Sequence, residues 1–155
     1  LKIWNSIDED LRDGWLLKIV GCGELDGDLR DYINHNELES TVKLVEPCNN
    51  IESIYKSASI FALSSRSEGF GMVLLEAAGF GIPLIAFNCP SGPRDIINKS
   101  NGYLIDIDDC QSYRYELIRM MNDEKLLMSL SLGSVQTFNQ WSDENISKIW
   151  LDILK

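Results

Sequence analysis

The sequence is short of several things, and each shortage narrows what the chain can do. It has one histidine, His35, in 155 residues, and its four cysteines, Cys22, Cys48, Cys89 and Cys110, stand alone with no CxxC pair. A zinc site needs three or four such ligands at short spacing, so no metal centre is expected. Scattered single cysteines in a chain of this size read as reduced thiols rather than a disulfide framework. Cys22 and Cys89 follow strand-like runs, where a small apolar side chain packs well. Basic residues are also scarce: 14 Lys and Arg against 24 Asp and Glu, a formal net charge of −10. That argues against nucleic acid as a partner, because a phosphate backbone is bound by a basic face. It argues equally against electrostatic docking of this segment on anionic lipid. It leaves room for one anion held in a local, preorganised pocket. No apolar run approaches the ~20 residues of a membrane span. Internal repeats and low-complexity segments are absent.

What is present is an alternation. Short apolar runs, Leu16–Val20, Val42–Val45, Ser59–Leu63, Pro83–Phe87 and Gly102–Ile105, read as strands. They are continuous rather than alternating, the pattern of strands covered on both faces. Helical patterns separate them at Asp28–Leu38, Ile51–Ser57, Gly71–Phe80 and Arg94–Asn98. This predicts an α/β fold, a Rossmann-like parallel sheet with helices on both faces. After Ile105 the pattern is all-helical: Ser112–Asn122, Glu124–Phe138 and a helix opened by Ser142, whose Ile146, Ile149, Trp150, Ile153 and Leu154 form one apolar stripe. Leu1–Ile7 also reads as a helix. A doubly wound unit normally opens with a central strand, so the expectation is one domain, residues 1–155, without its first strand and helix start.

Several polar residues are candidates for chemistry. Gly21-Cys22-Gly23 follows a strand and precedes a helix, but Asp26 stands where a dinucleotide fingerprint needs glycine, which favours a plain tight turn. His35 lies among polar neighbours and reads as a solvated helix residue. Asp106, Asp108 and Asp109 read as a loop leading into a helix N-terminus, where acids are favoured by the helix dipole. Lys43 and Arg66 are the cations nearest strand ends, and neither belongs to a cluster.

The segment SEGFGMVLLEAAG, from Ser67 to Gly79, is the most informative. It begins at the carboxyl end of a strand, where open α/β sheets bind ligands. Gly69 and Gly71 let a ligand approach the backbone, and a helix starting near Gly71 offers unpaired N–H groups to an anion. Glu68 stands outside that terminus and Glu76 inside the helix. Eight helical residues would separate them by about 12 Å and about 80°, which suits the two ends of an extended ligand better than one acid–base pair. Such carboxylates accept hydrogen bonds from paired hydroxyls of a sugar or ribose. Alternatively, Glu76 is a buried helix acid satisfied by an arginine or backbone, and Glu68 an exposed loop acid.

EGFGMVLLE, with seven residues between Glu68 and Glu76, resembles the E-x7-E signature of retaining GT-B-fold glycosyltransferases (glycosyl transferases group 1). The similarity extends along the chain. KIVGCGELDGDLRDYI resembles the family's strand, GxG turn and helix, and VKLVEP its next strand and loop. SASIFALSSRSEGFGMVLLEAAGFGIPLIAFNCPSGPRDII with NGYLI is similar to its core, and FNQWSDENISKIWLDIL to its closing helices.

The resemblance implies the carboxyl-terminal, donor-binding half of a GT-B enzyme. Glu68 would contact the sugar hydroxyls as the catalytic carboxylate. The N–H groups of Phe70 and Gly71 would face the sugar, those of Met72 and Val73 the diphosphate, and Glu76 the ribose. Pro47 and Cys48 would border the base. The expected donor is a nucleotide-diphosphate sugar, with no cofactor and no metal. The acceptor, a saccharide or lipid-linked saccharide, would be held by an amino-terminal domain, and the family's diphosphate-clamping Arg and Lys precede the point where this chain starts. This half is therefore expected to bind nucleotide without transferring sugar alone, and to self-associate through uncovered edges. Surface polysaccharide or glycolipid assembly is the implied process. The cytoplasm is the implied location, with the full-length protein peripheral to the inner face of the membrane. The alternatives are a GT-B epimerase or phosphorylase-like enzyme, or a nucleotide-sugar-binding module without turnover. A phosphorylase would need a cofactor-lysine environment that the sequence does not show.

Overall fold

The structure, a computed structural model, describes residues 1–47 and 50–154. Two compact units divide the chain, Leu1–Ser53 and Ile54–Lys155. All five expected strands form, and all their pairings are parallel, but they belong to two sheets rather than one: β1–β2 in the first unit and β3–β4–β5 in the second.

In the first unit, helices α1 (Lys2–Asn5) and α2 (Glu9–Arg12) precede β1 (Leu17–Val20); α3 (Asp26–His35) then crosses to β2 (Val42–Val45). Leu17 pairs with Val42 and Val20 with Val45. The core is Trp4, Ile7, Ile33, Leu38 and Val42, and the Trp4 indole donates to Thr41 Oγ1 at 3.2 Å. Helix α3 ends three residues before the expected Leu38. Glu37 adopts a left-handed conformation (φ 54°), the Leu38 N–H donates to the Ile33 carbonyl and the Glu37 N–H to that of Asn34. This is a Schellman cap, and the residues at its two apolar positions, Ile33 and Leu38, are both buried. A glutamate holds the position where glycine would have announced the stop.

In the second unit the last turn of α4 (Ile51–Lys56) leads to β3 (Phe61–Leu63), α5 (Met72–Gly79), β4 (Leu84–Phe87), α6 (Pro93–Ile96) and β5 (Gly102–Ile105). The register sets Phe61 against Leu84 and Leu84 against Gly102. Only β4 matches the expectation of strands covered on both faces, with all four residues buried. In β1 and β3 alternate residues are exposed, so their continuous apolar runs overstate their cover. Along β4 the side chains divide by parity. Leu84 and Ala86 join the cluster built on Leu74, Leu75, Ala77 and Ala78 of α5. Phe87 meets the Tyr113 ring at 4.9 Å, and the Tyr113 hydroxyl donates to the Ile85 carbonyl. Helices α5 and α7 (Cys110–Asn122) thus serve opposite faces of one strand.

The three carboxyl-terminal helices start at side-chain caps: Asp109 for α7, Asp123 for α8 (Glu124–Gln140) and Ser142 for α9 (Asp143–Ile153). The loop-and-cap reading of Asp109 therefore holds; hydrogen bonds from Ser112 lower its carboxyl pKa. Helix α8 is seated by a buried polar knot. Asn101 donates to the Ile96 carbonyl and to Thr137 Oγ1, and Ser134 Oγ donates to the Ile82 carbonyl. The α9 stripe has Ile149, Trp150, Ile153 and Leu154 each more than half exposed. No helix among the described residues is long and apolar enough to cross a membrane.

Gly133 permits the seating of α8: a Cβ there would fall 1.9 Å from the Ser100 carbonyl oxygen. Gly133→Ala should improve helix propensity by about 1 kcal/mol yet destabilise the protein by about 1–3 kcal/mol through overpacking. Urea unfolding showing net stabilisation would contradict that geometry.

Candidate functional site

The loop from Ser64 to Gly71 leaves β3 at its carboxyl end and runs into α5. Two glycines set its course. Gly92, at φ 83°, lies so close to Phe70 that a Cβ would be 1.9 Å from the Phe70 carbonyl oxygen, so the loops after β3 and β4 touch backbone to backbone. Gly71 is the N-cap of α5 in a left-handed conformation, φ 80° and ψ 45°, and its carbonyl accepts from the Leu74 N–H at 2.8 Å. A serine or aspartate at an N-cap would turn its side chain onto the first N–H groups. Glycine has none, and α5 has no side-chain cap. The Met72 and Val73 N–H groups are left at the positive end of the helix without an intrahelical partner, and both residues are exposed.

Glu68 is half-buried and lies in the loop, four residues before α5, so the helical estimate of its separation from Glu76 does not apply. Phe70 is half-buried and packs edge-on against Trp141 at 5.1 Å. Glu76 is the fifth residue of α5 and is exposed. That corrects the alternative of a buried helix acid: among the described residues neither arginine nor backbone satisfies it. Instead the Tyr55 hydroxyl donates to Glu76 Oε2 at 2.9 Å. Loop and helix thus place Glu68, Phe70, Gly71, Met72, Val73 and Glu76 along one continuous segment of the second unit. Pro47 is exposed after β2 in the first unit, and Cys48 lies outside the described residues.

The remaining candidates resolve simply. Arg66 is tied in an exposed ion pair with Asp108, joining the loops after β3 and β5. Lys43 lies within β2 and is exposed. Asp26 Oδ1 accepts from the Gly23 N–H, so the residue that breaks the glycine fingerprint holds the turn closed. Cys89 is buried as expected for a packed thiol, whereas Cys22 is exposed. Among the described residues no group of three or more His, Cys, Asp or Glu could hold a metal ion.

Tyr55 is the residue that sequence reasoning missed. It is 7% exposed, and its ring is stacked on that of Phe80 at 5.2 Å and tilted against that of Phe61 at 6.1 Å. Burial first, then the hydrogen bond to Glu76 and its charge, push the phenol above its ordinary range. Twenty-one residues separate it from Glu76, so no local spacing announces the pair.

The family model for glycosyl transferases group 1 matches residues 1–132. The amylovoran biosynthesis glycosyltransferase AmsD of Erwinia amylovora is 35% identical over 154 residues, 99% of this chain and 43% of the relative. The chain therefore spans less than half the length of that relative. The pneumococcal O-GlcNAc transferase GtfA, solved in complex with UDP and GlcNAc, superposes with a TM-score of 0.78 at 29% identity, over 89% of this chain and 28% of that one. The carboxyl-terminal domain of a glycosyl transferase group 1 family protein from Francisella tularensis shares the fold, with a TM-score of 0.67 at 23% identity over 76% of this chain and 62% of that one.

Burial also raises the Tyr113 phenol pKa. Unfolded tyrosines titrate near 10, so above that pH the unfolded chain holds fewer protons than the native one and stability falls as pH rises. Stability from both groups should be fully present below pH 10 and decline above it. Urea unfolding across that boundary should show the decline, and Tyr55→Phe or Tyr113→Phe should each flatten it. An unchanged slope in both variants would contradict the assignment.

Proposed function

Because the chain belongs to the glycosyl transferases group 1 family, we propose that it is the donor-binding half of a retaining glycosyltransferase. The enzyme moves a sugar from a nucleotide-diphosphate sugar to a saccharide or lipid-linked acceptor in surface polysaccharide or glycolipid assembly. One observation carries the reading: two carboxylates flank a helix start whose first N–H groups have no cap. On it, the Met72 and Val73 N–H groups take the diphosphate, those of Phe70 and Gly71 face the sugar, Glu68 binds the sugar hydroxyls and Glu76 the ribose. Departure of the diphosphate develops negative charge at the helix terminus, where fixed dipoles stabilise it. The acceptor hydroxyl attacks the face the diphosphate leaves. The roles of Pro47 and Cys48 at the base rest on sequence resemblance alone. Relatives that act on UDP-sugars, such as the Escherichia coli UDP-Gal:alpha-D-GlcNAc-diphosphoundecaprenol alpha-1,3-galactosyltransferase, support a nucleotide donor.

Calorimetry on the full-length protein tests the assignment. Glu76→Gln should weaken UDP or GDP binding roughly tenfold or more, as a hydrogen bond to a charged group contributes about 1.5–3 kcal/mol. Glu68→Gln should spare the free nucleotide and weaken the sugar-bearing donor. Unchanged nucleotide affinity in Glu76→Gln would sink the ribose role.

The reading needs no metal. Nucleotide affinity should be the same in EDTA as in buffer, and loss in EDTA with recovery on adding Mg²⁺ or Mn²⁺ would overturn that part.

A further inference from the structure

We propose that Tyr55 is a positioning residue that holds Glu76 by one oxygen and thereby sets selectivity for ribonucleotides over deoxyribonucleotides. The inference rests on the reading of Glu76 as the ribose contact. A glutamate on an exposed helix face samples several rotamers, and each hydroxyl it receives must first fix it. Here the fixing is already done. Tyr55 Oη donates to Glu76 Oε2 at 2.9 Å, while Oε1 takes no hydrogen bond from a described residue. The anchor is itself packed: the Tyr55 ring is buried, with the Phe80 ring stacked at 5.2 Å and the Phe61 ring at 6.1 Å.

The chemistry of the anchor matters as much as its position. A lysine or arginine would hold the carboxylate equally well but would neutralise it and compete for both oxygens. A phenol has one O–H to give. With its pKa raised by burial and by Glu76, Tyr55 remains a neutral donor across the working range. The phenol therefore adds no positive charge beside Glu76, and holding Oε2 leaves Oε1 to be presented in a defined direction to a hydroxyl. A site built to receive a hydroxyl discriminates against the analogue lacking it only while its own acceptor is held in place. Loosening Glu76 should therefore cost selectivity more than it costs binding of the rest of the nucleotide.

The test uses the full-length protein with UDP, GDP and ADP, and then the 2′-deoxy and 3′-deoxy analogues of whichever binds most tightly. Wild type, Tyr55→Phe, Glu76→Gln and the double variant are titrated calorimetrically, and thermal unfolding confirms that each is folded. Tyr55→Phe should weaken the ribonucleotide roughly fivefold, a coupling of the size seen between residues in contact. It should leave the deoxy analogue that Glu76→Gln also spares nearly unchanged, and it should add nothing in the Glu76→Gln background. If Tyr55→Phe leaves the ribo-to-deoxy ratio intact while Glu76→Gln collapses it, the positioning role is wrong and the ribose role of Glu76 stands. Equal losses for ribo and deoxy ligands in both backgrounds would mean that the hydroxyl acts only through packing, which also overturns the proposal. If Glu76→Gln itself leaves the ratio unchanged, the ribose role fails and this inference fails with it.

Discussion

Backbone lies against backbone where the loops after β3 and β4 meet, and the candidate site depends on that contact. Gly92 leaves no room for a Cβ beside the Phe70 carbonyl, so the chain between Glu68 and Gly71 is pressed into one path. That path delivers Gly71 in the left-handed conformation from which α5 starts. Phe70 in that stretch packs edge-on against Trp141, and Glu68 is half-buried in the loop. Interiors packed at crystal density transmit small displacements instead of absorbing them. The path of this loop is therefore tied to the packing of α5 on β4 and, through the Asn101 knot, to the seating of α8.

A net charge of −10 does not conflict with the diphosphate site proposed above. Charges more than about 10 Å apart at the surface are largely screened at moderate salt, so the local field decides. At the start of α5 that field comes from N–H groups and the helix dipole. The only cation near the end of β3 that sequence reasoning singled out, Arg66, is occupied by Asp108. Glu68 precedes the helix start and Glu76 follows it, and in the proposed reading both accept from hydroxyls rather than oppose phosphates. On the proposed assignment, the phenol of Tyr55 suits that division, because it donates to Glu76 without adding a positive charge that would draw phosphates away from the helix.

The two helix stops in this chain show what local chemistry announces and what it conceals. Helices α3 and α5 end in the same Schellman geometry, with Ile82 N–H to Ala77 carbonyl in α5 repeating Leu38 N–H to Ile33 in α3. In α5 the left-handed position is Gly81, and the expected end was right to within one residue. In α3 it is Glu37, which carries no signal, and the helix stops earlier than its pattern suggests. The buried apolar pair closing the motif, Ile33 and Leu38, compensates for a conformation that glutamate disfavours.

Composition and periodicity alone determined the α/β class, the five strands, the helical carboxyl-terminal third and the segment from Glu68 to Glu76 as the place to look. Those features are local: apolar runs, caps such as Asp109 and Ser142, and glycines at a helix start are chosen residue by residue along the chain. Tertiary structure decided what depends on partners far away in sequence. It divided the strands between two sheets and buried both faces of β4 but not of β1 or β3. It turned Glu76 outward and gave it Tyr55, 21 residues upstream, as its hydrogen-bond donor. Neither residue's type or spacing encodes that pairing, because it arises only when the Tyr55 ring at the end of α4 packs against Phe61 and Phe80. A buried hydroxyl must then find an acceptor, and the one within reach is the carboxylate of α5.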